Sequence, residues 1–255
     1  MPSNSLDILA IAAHRDDVEQ TCGGTLLKAA QRGQRTGILD LTQGEMGTRG
    51  TAGDREREAN DAAKILGVSW RWALNIPDGR VENTWENRLK VAAVIRETRP
   101  RVVILPYWKG RHPDHYTCSV LGYEACFLAG LAKLALSSQV SAVSQKTHAS
   151  SAPLLPYRPF KIIYATLYYD VRPTFVVDIG SQFEKKLASI FAYTSQFSDQ
   201  EAGKDIFPAH DEIRARVDSM ARYYGMLGGV THAEPFLQKE VGLVEDLLAI
   251  PVKSI

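Results

Sequence analysis

The chain has 255 residues, 45% of them apolar, and 30 lysines and arginines against 29 aspartates and glutamates give a net charge of +1. This composition excludes a largely disordered chain and shows no broad basic surface for nucleic acid, so a small-molecule partner is expected. Apolar stretches are too short to span a bilayer, and three cysteines without paired spacing are typical of reduced thiols. These features predict a cytoplasmic protein without a membrane partner.

The first part of the chain alternates apolar runs with stretches of helical spacing. Strands are predicted over 6–12, 35–42, 70–76 and 102–105, and helices over 21–32, 55–66 and 84–98, with Asp54 as the expected cap of the second helix. The βαβαβαβ order predicts an α/β fold with a doubly wound, Rossmann-like, mostly parallel sheet. In the usual strand order 3-2-1-4, strands one and four are neighbours.

The second part of the chain begins with a helix predicted over 116–136. A stretch rich in Ser, Ala and Pro, 137–159, then predicts a flexible loop. Two more strands, 161–169 and 174–179, and two helices, 182–194 and 211–224, are expected after it. The sequence has no internal repeat and no convincing boundary, which predicts a single domain over 1–255.

Two polar clusters follow predicted strands. His14, Asp16 and Asp17 come directly after the first strand, and the sequence RHPDH at 111–115 follows the fourth. Ligands of open α/β sheets bind at the carboxyl ends of the strands. If strands one and four are neighbours, His14 and His115 meet there, so the two clusters predict one site.

The residue types of these clusters suit a zinc centre. Catalytic zinc sites use three protein ligands and leave a fourth position open, and His14, Asp17 and His115 would supply such a set. Asp16, between two ligands, would then face water and act as a general base. His112 could donate a hydrogen bond to a developing oxyanion or a proton to a leaving group.

Simpler interpretations of the same residues stay open. His14, Asp16 and Asp17 could cap a helix, and Arg111 could pair with Asp114 on the surface. Cys22 and Cys118 could be further ligands, although buried thiols on helices are favoured. The glycine spacing of the loop 43–53 does not match a dinucleotide fingerprint or a P-loop, so this loop is expected to form a flexible rim.

The motif AHRDDVE at 13–19, followed by HPDH at 112–115, resembles the motifs of the LmbE/PIG-L zinc deacetylases. Three further stretches, LTQGEMGTRGT (41–51), DREREA (54–59) and AYTSQF (192–197), are similar to the bacillithiol-pathway branch of that family. Enzymes of that branch remove acetate from N-acetylglucosaminyl malate. The resemblance covers most of the chain and is weakest over 132–159.

The resemblance implies one zinc ion per chain on His14, Asp17 and His115, with Asp16 as base and His112 as its electrostatic or acid partner. It also implies that Tyr193 assists the oxyanion, that Arg55 and Arg111 line the substrate pocket, and that the chain forms an oligomer, a hexamer in many relatives. Two residues depart from the family pattern. Arg15 adds a cation beside the metal ligands, and Pro235 replaces a glycine in the C-terminal part.

The function expected from residues and resemblance together is hydrolysis of an N-acetyl group from a glucosamine conjugate, with N-acetylglucosaminyl malate as the leading substrate. Inositol conjugates, chitooligosaccharides and glycopeptides are alternative substrates. A non-catalytic metal-binding or carbohydrate-binding module and a nucleotide-binding enzyme are alternatives of other classes. A binding module would give Asp16 and His112 no role. A nucleotide-binding enzyme would need a glycine fingerprint, which this sequence lacks.

Overall fold

In the computed structural model, a seven-stranded sheet runs through the described residues, which are 5–137, 154–166, 170–198, 205 and 208–250. The strands are β1 (Ile8–Ala12), β2 (Thr36–Asp40), β3 (Trp70–Ala73), β4 (Val102–Pro106), β5 (Lys161–Ala165), β6 (Phe175–Asp178) and β7 (Ala233–Leu237). The helices are α1 (Asp17–Gln31), α2 (Ala52–Leu66), α3 (Trp85–Thr98), α4 (Pro113–Ala129), α5 (Phe183–Phe191), α6 (Thr194–Phe197) and α7 (His210–Gly228), and a 3-10 turn spans Leu247–Ala249.

The strand order is β3-β2-β1-β4-β5-β7-β6. Strands β1 to β5 are parallel, and β7 pairs antiparallel with both β5 and β6. The predicted α/β class and the order 3-2-1-4 are therefore confirmed. Strand β7 was not predicted, because Glu234 and Pro235 interrupt its apolar pattern. Its pairing with β5 ends at Phe236, next to the proline, which has no N–H to donate.

Helices cover both faces of the sheet, and the alternation of side chains along β1 explains how. Leu9 and Ile11 pack with residues of α3 and α4 on one face. Ala10 and Ala12 pack with residues of α1 on the other face. Because β1 is buried on both sides, every residue of this strand is apolar, as its sequence predicts.

Helix α1 starts earlier than predicted, at Asp17, and contains a kink at Cys22. The carboxylate of Glu234, on β7, accepts hydrogen bonds from the backbone N–H groups of Gly24 (2.9 Å) and Thr25 (2.7 Å) just beyond the kink. The ammonium of Lys186 lies 2.6 Å from the same carboxylate. The buried Lys186–Glu234 pair thus satisfies backbone groups that the kink frees and ties the part of α1 after Cys22 to β7.

Two other helices begin at residues that differ from the prediction. Asp54 is not the cap of α2, because Thr51 is the N-cap and the Asp54 carboxylate accepts the Thr51 N–H in a capping box. Helix α4 begins at Pro113, which suits a first turn, and His112 caps it.

Helix α4 also ends earlier than predicted, at Ala129. The guanidinium of Arg96 donates to the carbonyls of Ala129, Leu131 and Leu134 and so holds the chain in a non-helical path beyond the helix end. Of the predicted loop 137–159, residues 154–159 have no helix or strand and 138–153 lie outside the described residues. The end of the predicted strand 161–169 also lies outside them. Within the described residues, no helix is long and apolar enough to cross a membrane.

Candidate metal and catalytic site

The carboxyl ends of β1 and β4 bring the two polar clusters together, as the sequence predicts. His14 lies in the turn between β1 and α1, and His115 lies in the first turn of α4. Nδ1 of His14 is 3.2 Å from Nε2 of His115. Asp17, the first residue of α1, has Oδ1 3.2 Å from Nε2 of His115 and Oδ2 3.5 Å from Nδ1 of His14.

Each of these distances is close to the spacing of ligand atoms in a tetrahedral metal centre, and Asp17 approaches His115 through Oδ1 and His14 through Oδ2. With metal–ligand bonds of about 2.0 to 2.1 Å, the ligand atoms of a tetrahedral site are about 3.3 to 3.4 Å apart. Burial would raise the pKa of Asp17, but the neighbouring His115 and His14 hold it well below its ordinary value, so the carboxylate is ionised. Two imidazole nitrogens and one carboxylate are a donor set that suits zinc.

The other nitrogen of His14 faces two carboxylates that the sequence analysis did not select. Nε2 of His14 lies 3.1 Å from Oδ1 of Asp78 and 3.3 Å from Oδ2 of Asp114. Burial lowers the pKa of His14, but hydrogen bonds with Asp114, Asp17 and Asp78 outweigh it and raise the pKa strongly. A carboxylate on the second nitrogen fixes the tautomer and orientation of a metal-binding imidazole. Asp114 was within the HPDH motif, whereas Asp78 had only a Pro-Asp-Gly turn to indicate it.

Asp114 is held in place by the loop after β3. Its carboxylate accepts the N–H groups of Gly79 (2.9 Å) and Val81 (3.3 Å). His14, Asp78 and Asp114 form a second group of potential ligand atoms, which all lie within 4.8 Å of one another. Since they share His14 with the first group, we interpret these carboxylates as supports of His14.

His112 lies at the mouth of the site. Its ring centroid is 4.7 Å from that of His14, and its nitrogen is close enough to those of His14 and His115 for a shared ion. Nδ1 of His112 accepts the backbone N–H of Asp114 at 3.2 Å and caps α4. Burial and the nearby His14 and His115 lower the pKa of His112. In its neutral form, an imidazole that accepts at Nδ1 carries its proton on Nε2, which makes His112 a donor toward the site.

Asp16 directly precedes the potential ligand Asp17 and has a left-handed backbone, with φ 109°. Its Oδ1 lies 3.2 Å from NH2 of Arg55, and the Arg55 side chain is buried. Burial raises the pKa of Asp16 to about 7, although the charge of Arg55 opposes the shift. Asp16 is thus a carboxyl group beside the potential ligands, and it forms no hydrogen bond with the described side chains of His14 and His115.

Arg55 and Tyr193, expected from the resemblance in substrate and oxyanion roles, lie behind the site. Besides Asp16, Arg55 donates to the carbonyl of Arg15. The hydroxyl of Tyr193 donates to Oε1 of Glu19 at 3.0 Å, and the whole side chain is buried. Glu19 in turn lies 2.6 Å from NH1 of Arg71. Both predicted roles remain predictions, and in this structure the two residues support Asp16 and α1.

The other arginines of the prediction point in different directions. Arg111 is exposed, and among the described residues no hydrogen bond or ion pair engages it. Arg15 is buried with NH1 3.1 Å from the carbonyl of Ala52, so its charge faces α2. Pro235, the second departure from the family pattern, lies beside Lys186 and Glu234 rather than beside the potential metal ligands.

The motif AYTSQF contacts both α2 and the glycine-rich loop, which its sequence did not predict. The carboxylate of Glu58, on α2, accepts from the backbone N–H and hydroxyl of Ser195, both at 2.7 Å. The side chain of Gln196 donates to the carbonyl of Arg49 at 2.6 Å. Gly50 has φ +71°, and a Cβ there would lie 2.7 Å from Ser195. The motif therefore fastens α2 and the glycine-rich loop to α6.

A cleft adjoins the potential ligands Asp17 and His115. Its lining includes apolar side chains from β1, α1 and β4, namely Ala10, Ala12, Val18, Cys22 and Ile104. Burial raises the pKa of the Cys22 thiol, which keeps this group neutral. The cleft offers room beside the cluster for a small apolar group.

Residues 9–126 match the sequence profile of the family described as "PIG-L: GlcNAc-PI de-N-acetylase". The chain is also 31% identical over 240 residues to the diacetylchitobiose deacetylase of Thermococcus kodakarensis, a match that covers 89% of this chain and 80% of that protein. The chain belongs to the PIG-L family. The matched region contains both clusters and both strands that position them.

Two solved structures are similar to this chain in fold as well as in sequence. A conserved protein of Thermus thermophilus has a TM-score of 0.79 and 38% identity, covering 94% of this chain and 98% of that one. The N,N'-diacetylchitobiose deacetylase of Pyrococcus horikoshii has a TM-score of 0.75 and 26% identity, covering 90% of this chain and 82% of that one. Two of these PIG-L relatives are named for diacetylchitobiose, so the bacillithiol branch suggested by the motifs remains a proposal.

Proposed function

We propose that this protein is a zinc-dependent hydrolase that removes the N-acetyl group of an N-acetylglucosaminyl compound. The observation that carries the proposal is the cluster of His14, Asp17 and His115, with ligand atoms 3.2 to 3.5 Å apart and the carboxyl of Asp16 beside it. Membership of the PIG-L family supports the same reaction. A zinc ion held there would polarise the amide carbonyl and make water acidic enough to attack near neutral pH.

In this proposal Asp16 takes the proton of the attacking water. Its side chain is mostly buried and held by Arg55, so the carboxyl group has one preferred position. A fixed base of this kind contributes typically about 10²- to 10⁴-fold to a rate. The departing amine needs a proton, and in this proposal Asp16 returns the one that it has taken.

His112 contributes as a hydrogen-bond donor. Because Nδ1 accepts from the Asp114 N–H, Nε2 is the nitrogen that carries the proton and would donate it. A neutral donor stabilises negative charge that develops on the carbonyl oxygen. The apolar cleft beside Asp17 and His115 suits the methyl of an acetyl group.

The group attached to the sugar is the finer part of the proposal. N-acetylglucosaminyl malate, the substrate suggested by the motifs, carries two carboxylates, which arginine binds well. Of the two arginines that the resemblance implies, Arg55 is engaged with Asp16 and Arg111 is exposed, so we assign Arg111 to such a group. Diacetylchitobiose, which is neutral, is the second candidate because two relatives are named for it.

A panel of conjugates with detection of the released amine tests the proposal. Zinc-loaded protein should act on N-acetylglucosaminyl compounds, and Arg111→Ala should lower the rate on the malate conjugate by about 10- to 100-fold, the value of a hydrogen bond to a charged group. Lys133→Ala, another exposed cation, is the control. Equal rates on malate and chitobiose conjugates that Arg111→Ala leaves unchanged would remove the malate assignment. No acetate release from any conjugate would favour a binding module and end the proposal.

The remaining parts of the proposal concern the state of the protein. We infer that the whole chain acts as one domain, in the cytoplasm, and as a homo-oligomer such as the hexamer implied by the family resemblance. The three buried free cysteines are compatible with a reducing compartment. The mass of the protein in solution and separate expression of residues 1–137 would test the assembly and the single domain.

A further inference from the structure

Helix α4 is apolar on the side that faces away from the sheet as well as on the side that faces it. Its outer face is formed by Tyr116, Val120, Tyr123 and Phe127, which follow one another at intervals of four, three and four residues. These side chains are 42 to 55% exposed. A helix that is apolar all round is normally buried, and contiguous apolar patches on a surface mark interaction sites.

The C-terminal arm, residues 240–250, is a second apolar element, and no part of the chain that the structure describes covers it. Val241, Leu243, Leu247 and Leu248 are 80 to 98% exposed. Every residue from 241 to 250 is exposed, so within the described chain nothing buries the arm. An apolar segment of this kind is unfavourable in water and gains stability only when another surface covers it.

The arm leaves the molecule next to the outer face of α4. The ammonium of Lys239 lies 4.7 Å from the ring centroid of Tyr123 and 4.9 Å from that of Trp108. These cation–π contacts hold the base of the arm at the middle of the outer face. An extended segment of eleven residues reaches about 36 Å, whereas the outer face is about 16 Å long, so an arm can follow the whole face.

Charge agrees with this match. The arm carries Glu240, Glu245 and Asp246 and no lysine or arginine. The outer face has cations at both ends: exposed Arg111 precedes α4, and the guanidinium of Arg158 lies 4.8 Å from the Phe127 ring. The acidic apolar arm is therefore complementary to this face. The same acidic residues would repel a negatively charged lipid surface from the arm.

We propose that the C-terminal arm of one copy packs on the outer face of α4 of a second copy. The arm does not cover the face of its own chain, since both remain exposed, and an exchange between copies buries both at once. Reciprocal exchange gives a two-fold dimer, and exchange in one direction around a ring gives a larger closed assembly. Since α4 also carries His115, the contact joins the assembly to the site.

Sedimentation equilibrium of the full chain tests the proposal. Wild type should be a closed oligomer, and Val120→Asp on the face or Leu248→Asp on the arm should each weaken association by at least about tenfold, because a desolvated carboxylate is costly. Leu227→Asp, at an exposed apolar position of α7, is the matched control. A monomeric wild type, or association that only Leu227→Asp weakens, would overturn the proposal.

Cross-linking tests the partners directly, since the native cysteines are all buried. A mixture of Val120→Cys and Leu248→Cys should give a heterodimer with a short bismaleimide, and neither variant alone should cross-link as well. Preferential Val120→Cys homodimers would show that two α4 helices meet instead. Binding of wild type to anionic vesicles that Leu248→Asp abolishes, without oligomers in solution, would assign the arm to a lipid surface and contradict the proposal.

Discussion

The guanidinium of Arg55 lies 3.2 Å from the carboxylate of Asp16, and this pair turns a residue predicted to bind substrate toward the proposed base. Arg55 is on α2 and Asp16 on the turn after β1, so the pair joins two elements that approach only in the folded chain. In this structure Arg55 therefore positions Asp16. Loss of activity in an Arg55 variant can then come from a displaced base or from weaker substrate binding, and these two explanations can be separated.

Arg55→Ala should lower kcat by the same factor on charged and neutral conjugates, because Asp16 loses its partner whatever the substrate. We expect a loss of about 10- to 100-fold with KM little changed, the value of a hydrogen bond between charged groups. Arg57→Ala, exposed on the same helix, is the control. If the loss falls mainly on KM of the malate conjugate, Arg55 binds substrate as the resemblance implied.

Asp16→Asn and Asp17→Asn should fail in different ways. The amide at position 16 keeps the size of the side chain but cannot accept the proton, so zinc should bind while most activity is lost. The amide at position 17 removes the anionic ligand, so zinc affinity should fall, as it should in His115→Ala. Metal titration beside single-turnover rates measures both, and the opposite pattern would exchange the two roles.

Asp114→Asn should weaken zinc binding, although Asp114 is not one of the three proposed ligands. Its carboxylate accepts from the imidazole of His14 at 3.3 Å, and loss of such a support typically costs about 10- to 100-fold in metal affinity. Competition with a zinc chelator gives the affinity, and the thermal midpoint of the metal-free protein monitors the fold. An unchanged affinity with a lowered midpoint would mean that Asp114 only anchors Gly79 and Val81.

Tyr193→Phe should reduce stability more than rate. The buried hydroxyl donates to Glu19 at 3.0 Å, so its loss should cost about 1.5 to 3 kcal/mol of unfolding free energy, measured in urea. The rate at full zinc loading should stay within the same order of magnitude. A loss of about 10²- to 10³-fold with unchanged stability is what an oxyanion donor would show.

Glu234→Gln should destabilise the fold by about 3 to 5 kcal/mol, because it leaves the buried Lys186 without its counter-charge. The NH2 group of the glutamine would also replace an acceptor oxygen, so that a donor would face the N–H of Gly24 or Thr25. Adding Lys186→Met should recover part of the loss, since no buried charge then remains. Urea unfolding of the single and double variants gives the coupling energy, and additive losses would contradict the pairing.

The sequence by itself determined the scaffold and the meeting of His14 with His115. Apolar runs such as Ile8–Ala12 and Val102–Pro106 have a local pattern that predicts buried parallel strands, and the order of strands and helices then fixes which carboxyl ends are neighbours. His14 and His115 follow those two strands, so their 3.2 Å contact comes from patterns that are readable within a few residues of each.

Only the tertiary structure decided which groups support the cluster. Asp78 and Glu234 meet His14 and α1 from distant parts of the chain, and no periodicity records such pairs. Arg55 lies on α2 and Tyr193 lies between α5 and α6, and the local pattern at each position allows either a pocket or a buried position. Their directions depend on where Asp16 and Glu19 offer charge, because a buried polar group is stable only beside a partner that satisfies it.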